Sequence, residues 1–156
     1  MAAVDVERVA LLEQVLRGAG FTDVFAEVGH GPDGVAAVDV TGQYRFCWVR
    51  GARLVEGPAV AWTAGLGPAL AAAVAAVAPG ASPAGVAEAA EPVPGLPPGA
   101  VGRVTVVHQA DLSTGGDHAD ATEPLPSGAV VVVGVEVLFP DGGRVAVTET
   151  VAVEAS

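Results

Sequence analysis

The tightest constraint in the sequence lies near its C-terminus, where AVVVVGVEVLF and GRVAVTETVAVE flank PDGG. Runs of valine favour extended backbone, because a β-branched side chain loses rotamer freedom in a helix and packs well on a pleated surface. Asp-Gly between two such runs supplies a tight reversal. A C-terminal β-hairpin is therefore expected, and with VGRVTVVHQ before it the last third of the chain reads as three strands.

Pairing across an Asp141–Gly142 turn sets Leu138 opposite Val145, Glu136 opposite Val147 and Gly134 opposite Glu149. Glu136 and Glu149 then become diagonal neighbours on a face otherwise lined by valines and Leu138. If that face is buried, its carboxylates suit general acid or base work, since desolvation favours the protonated form. His108, pointing the same way as Val104 and Val106, joins them. The plainer alternative leaves this face in water, with Val131, Val133, Val135, Val137 and Phe139 packing inward against Ala146, Thr148, Thr150 and Ala152.

The rest of the chain can be read around that hairpin. VDVERVALLEQVLRGAGF spaces Val4, Leu11, Leu12, Val15 and Leu16 for one helical face, with acids early, Arg17 late and Gly18 and Gly20 as stop signals. TDVFAEVG, GVAAVDV and QYRFCWVR read as three short strands separated by HGPDG and TG turns. A Thr41–Gly42 turn would put Tyr44, Phe46 and Trp48 on the core face and Arg45 and Cys47 on the other. A second helix is expected from Pro68 through LAAAVAAVA, closed by Pro79. Residues 79–100, dense in Pro and Gly, read as a connector, ordered in part at most, with a turn at Ser82 to Ala90.

The expected architecture is a single α+β domain over residues 1–156, mainly antiparallel sheet with two helices, in the order α-β-β-β-α-connector-β-β-β. Its parts are 1–78, the connector 79–100 and the strands of 101–156. The chain has 156 residues, near the commonest domain size, and 51% of them are hydrophobic, enough for one packed core. No internal repeat of fixed period is visible.

Charge excludes some partners. With 18 acidic residues against 7 basic ones, the net charge of -11 repels nucleic acid and anionic membranes. The uncharged stretch from Gly57 to Ala87 is long enough to span a bilayer, but its prolines, glycines and alanines fit a span poorly. The single Cys47 has no partner for an internal disulfide and sits in an apolar run, as a small buried hydrophobe would. No signal peptide is expected, and a cytoplasmic location follows.

Three groups of residues are candidates for chemistry. The first is the proton-transfer set His108, Asp111, Glu136 and Glu149. The second lies in VVHQADLSTGGDHADATEP, where Asp111, Asp117, His118 and Asp120 gather oxygen and nitrogen donors suited to a metal ion. That loop matches an EF-hand at several places and then departs from it, because the twelfth place is Thr122, the preceding segment is a strand and Pro124 blocks an exiting helix. The third is Arg45, Arg50 and Arg53, which form either a small anion or carboxylate site or local pairs with Asp39 and Glu56. No phosphate-binding glycine loop and no nucleophile elbow is present, and no cofactor is expected.

Two functions remain. One is a non-catalytic protein-binding or assembly module that uses exposed strand edges for a protein partner or for self-association as a dimer. In element order and acidity it is similar to small secretion-chaperone-like domains, which bind other proteins as dimers. The other is a small enzyme or small-molecule binder that encloses a pocket, resembling in general plan the α+β cone proteins of the nuclear-transport-factor-like class. Burial of Glu136, Glu149 and His108 separates the two.

Overall fold

A computed structural model describes residues 3–114 and 122–154. The chain runs as helix α1 (Ala3–Gly18), strands β1 (Phe21–His30), β2 (Ala36–Tyr44) and β3 (Cys47–Glu56), helices α2 (Ala61–Ala75) and α3 (Pro83–Ala89), then strands β4 (Val101–His108), β5 (Val130–Leu138) and β6 (Arg144–Ala152). Short 3₁₀ turns occupy Pro32–Gly34 and Gln109–Thr114. The expected α+β class holds, with the strands divided between two antiparallel three-stranded sheets, β1-β2-β3 and β4-β5-β6. Each half thus repeats one plan, helix first and three-stranded meander after, without a sequence repeat to announce it.

The first sheet turns later than the sequence suggests. Tyr44 pairs with Cys47, so the reversal falls at Arg45 and Phe46, both in the left-handed region at φ 48° and 69°. Thr41 and Gly42 lie inside β2. Gly42 is small for a packing reason: a Cβ there would meet Phe21 Cδ1 at 3.3 Å and Val24 Cγ2 at 3.5 Å. Phe46 is consequently exposed rather than in the core, and Cys47 is exposed as well. Tyr44 packs on Phe21, with ring centroids 5.0 Å apart, and Arg45 lies over the Tyr44 ring.

The helical region also departs from expectation. α2 starts at Ala61, seven residues before Pro68, and carries that proline inside it. Thr63 makes the early start possible, because its hydroxyl accepts a hydrogen bond from the Val60 N–H at 3.0 Å and satisfies an N-terminal donor. No helix of the described residues is long and apolar enough to cross a membrane. The segment 79–100 is held more firmly than a loose connector: Ser82 caps α3 by accepting from the Gly85 N–H at 3.1 Å. Further along, Pro94 lies so close to α2 that a Cβ on Gly65 would stand 2.3 Å from its Cδ.

Strand β5 is buried on both faces. Val131, Val133, Val135 and Val137 pack inward with Trp62, Leu66, Leu70 and Val86 of the helices in the main core, as the plainer expectation has it, but Val145, Val147 and Val151 of β6 share their face in place of the expected Ala146, Thr148, Thr150 and Ala152. The opposite face, carrying Val132, Gly134 and Glu136, is turned toward the first sheet instead of water. Two contacts fix that approach: the Ala52 N–H donates to Thr148 Oγ1 at 2.8 Å, and Arg53 Nη1 donates to the Thr148 carbonyl. Gly134 is small for a reason within the second sheet, since a Cβ would meet its cross-strand neighbours, Thr105 Oγ1 of β4 at 2.6 Å and Thr148 Cγ2 of β6 at 3.2 Å.

Candidate functional site

The space left between the two inner faces is an open cleft of about 530 Å³. Its lining follows from register and the alternation of strand side chains. On the first sheet, Glu27 pairs with Asp39, Phe25 with Thr41, and Thr41 with Arg50, so Phe25, Glu27, Asp39, Thr41 and Arg50 share one face. Trp48 follows two residues before Arg50. On the second sheet Arg103 is opposite Glu136. Arg144, opposite Leu138, emerges on the same side as both.

Two carboxylates and three guanidiniums make the floor. Glu136 is 2% exposed and Asp39 8% exposed. Arg50 grips Asp39 with two hydrogen bonds, Nε to Oδ1 at 3.0 Å and Nη2 to Oδ2 at 2.6 Å, the planar fork geometry that favours Arg over Lys. Arg103 donates Nε and Nη2 to Glu136 Oε2 at 3.0 and 2.8 Å. Arg144 spans the sheets, reaching Glu136 Oε1 at 3.2 Å and Asp39 Oδ2 at 2.9 Å, and it also pairs with Glu27 at the rim. The hydrogen bonds to Asp39 are the main reason the Arg50 guanidinium holds its proton above the ordinary arginine range. Over this floor stands an aromatic wall, Phe25 stacked on Trp48 with ring centroids 6.4 Å apart, and Leu112 and Ser113 close the far side.

The expected proton-transfer set is not assembled. Leu138 pairs with Arg144, not Val145, so the hairpin register is one residue away from the expected one. Five residues, Phe139 to Gly143, form the turn, closed by the Phe139 N–H donating to the Gly143 carbonyl at 2.9 Å and by Asp141 Oδ1 accepting from the Gly143 N–H. A one-residue slip moves every side chain to the other face. Glu149 therefore pairs with Val133, on the face away from Glu136, and is exposed. His108 pairs with Val131 and also points away from Glu136. Gly134 faces Thr148 rather than Glu149. Glu136 itself is buried among arginines, not among valines.

The other candidates disperse. Of Arg45, Arg50 and Arg53, only Arg50 enters the cleft; Arg45 sits at the β2–β3 turn and Arg53 bonds to backbone carbonyls. The local pairing with Asp39 is present, whereas Glu56 pairs with Arg8 of α1. Asp111 is exposed on the 3₁₀ turn after β4, and Asp117, His118 and Asp120 lie outside the described residues. Among the described residues no three His, Cys, Asp or Glu side chains converge in a metal-binding group. A divalent cation at the cleft floor would have to displace guanidiniums already bonded to both carboxylates, so these residues do not fit one. Nothing local singles out Arg103 and Arg144, each of which stands alone in a valine-rich strand segment. Their signal was the cross-strand placement of Arg103 opposite Glu136, legible only once the register is known.

No family model and no curated protein matches the chain. Solved structures do resemble it. A dipeptidase, PepE, from Mycobacterium ulcerans superposes with a TM-score of 0.69 at 21% identity, covering 96% of this chain and 48% of that one. The prolidase from Pyrococcus furiosus gives 0.67 at 16%, over 97% and 53% of the two chains. An X-Pro aminopeptidase from Thermotoga maritima gives 0.73 at 17%, over 97% and 51%. The chain therefore shares a fold with about half the length of these peptidase chains.

Proposed function

We propose that this chain is a non-catalytic binding module that holds a peptide segment in the cleft between its sheets. The observation that supports the reading is the state of the two buried carboxylates. Asp39 accepts hydrogen bonds from Arg50 and Arg144, and Glu136 from Arg50, Arg103 and Arg144. A carboxylate committed to two or three charged donors is a structural group, poorly placed to take a proton from water. The similar chains bear the names of a dipeptidase, a prolidase and an X-Pro aminopeptidase, and from them the reading borrows only a ligand class, the peptide. The cleft offers what a short peptide needs: two polar sheet faces and an aromatic wall.

The protein is proposed to act in the cytoplasm, with a protein partner or a second copy of itself as the macromolecule it meets. The test pairs two measurements on the purified chain. Incubation with dipeptides and X-Pro peptides, with and without added divalent cations, is expected to give no hydrolysis above the blank, while peptides shift the Trp48 and Phe25 signals in NMR spectra. Hydrolysis lost on Asp39→Asn or Glu136→Gln would overturn the reading. Light scattering on the same sample gives the assembly state, with a dimer or a co-purifying protein expected.

A further inference from the structure

The arginines of the cleft do not hold their partners equally. Arg144 bonds to three carboxylates: Glu136 and Asp39, whose side chains are 2% and 10% exposed, and Glu27, whose side chain is 64% exposed. The first two are locked in the protein interior. Glu27 leans in from the rim of β1, and an exposed ion pair of this kind contributes little to stability, so exchanging it costs little. Beside it, Arg103 has a side chain 46% exposed and spends Nε and Nη2 on a single oxygen of Glu136. No described residue accepts from its Nη1. Two residues from Glu27 on the same face, Phe25 is 65% exposed although it is a large apolar side chain, and it stacks on Trp48 beside the arginines.

We infer that the cleft recognises a carboxylate carried next to an apolar group, and that Glu27 occupies the carboxylate position until a ligand displaces it. The inference rests on the binding reading and specifies its ligand. An incoming carboxylate takes the Arg144 Nη2 and Arg103 Nη1 donors, and its apolar neighbour covers Phe25 and Trp48. The whole-chain charge of -11 does not forbid this, because three of the seven arginines converge on the cleft. The carboxylate comes either from an acidic side chain or from a chain terminus.

Three probes separate these cases in NMR titrations that follow the arginine Nε–H and Trp48 indole signals: N-acetyl-phenylalanine, N-acetyl-glutamyl-phenylalaninamide, and the neutral N-acetyl-phenylalaninamide. Either acid is expected to bind at least ten-fold more tightly than the neutral amide, and whichever acid binds better identifies the source of the group. Glu27→Gln, at an exposed position where folding is not at stake, is expected to tighten acid binding about two- to five-fold by removing the resident competitor. Arg103→Gln is expected to weaken it at least ten-fold, with Arg103→Lys between, retaining charge without the fork. Equal binding of acid and amide, or weaker acid binding in Glu27→Gln, overturns the inference while leaving peptide binding intact. Failure of every probe to move the cleft signals overturns both.

Discussion

Strand β5 presents two buried faces that differ in everything but burial. Toward the helices stand Val131, Val133, Val135 and Val137; toward the first sheet stand Val132, Gly134 and Glu136. The valine face is held by close packing of interchangeable apolar groups, where loss of volume is what costs energy. The Glu136 face is held by directional bonds between opposite charges, where removing one partner strands another. The two faces should therefore fail differently when cut.

The largest effect is expected on the charged face. Arg50→Ala leaves Asp39 buried with a reduced share of its donors, and the expected loss is about 3–5 kcal/mol in denaturant unfolding. Arg45→Ala, at the exposed turn, should change stability by less than about 0.5 kcal/mol, so equal effects would erase the distinction. On the valine face, Val133→Ala should cost about 2 kcal/mol through its cavity, and this loss should not depend on salt, whereas that of Arg50→Ala should shrink somewhat as salt rises. Gly134→Ala, forced against Thr105 and Thr148 on the neighbouring strands, is expected to cost about 1–2 kcal/mol, less if Thr105 rotates away, and a stabilised variant would mean that these two threonines do not crowd the position.

The smallest effect belongs to the Arg8–Glu56 pair on the surface, where the Arg8 hydrogen bond, helped by its charge, draws the Glu56 carboxyl below its usual value of 4.5. A depressed carboxyl stabilises the fold above its unfolded value and loses that contribution as pH falls through the folded one. The advantage of wild type over Glu56→Gln should accordingly be present at neutral pH, shrink below about 4.5 and vanish in stronger acid. A gap that widens on acidification would contradict the pairing.

The sequence made the elements readable and the pairings much less so. Valine runs, the Asp-Gly turn, the α1 stop signals and the Ser82 cap act within a few residues, and each appears where local chemistry puts it. Three features escape because no residue type marks them in the sequence. The Arg45–Phe46 turn has neither Gly nor Asn to mark it, and Gly42, which looked like the marker, is small to admit Phe21 and Val24. Pro68 looked like a helix start because nothing nearby shows that Thr63 already provides one. Most consequential is the five-residue Phe139–Gly143 turn, one residue shorter than the expected pairing requires, which sends Glu149 to the face away from Glu136 and brings Arg144 onto it, while His108 lies on that opposite face through its own pairing with Val131. Arg50 and Asp39 were visible as a possible local pair; their union with Glu136, Arg103 and Arg144 required the packing of one sheet on the other.

The central claim, that the cleft carboxylates hold structure and do no chemistry, is tested most directly by the unfolding free energy of Glu136→Gln beside that of Glu149→Gln, with peptide hydrolysis followed on the same samples. The account predicts that Glu136→Gln loses about 2–4 kcal/mol, Glu149→Gln less than about 0.5, and that neither has a hydrolytic activity to lose. A Glu136→Gln variant as stable as wild type, or more so, in which a measurable wild-type hydrolysis has disappeared would contradict it, since that is the signature of a residue kept for reactivity at the expense of stability.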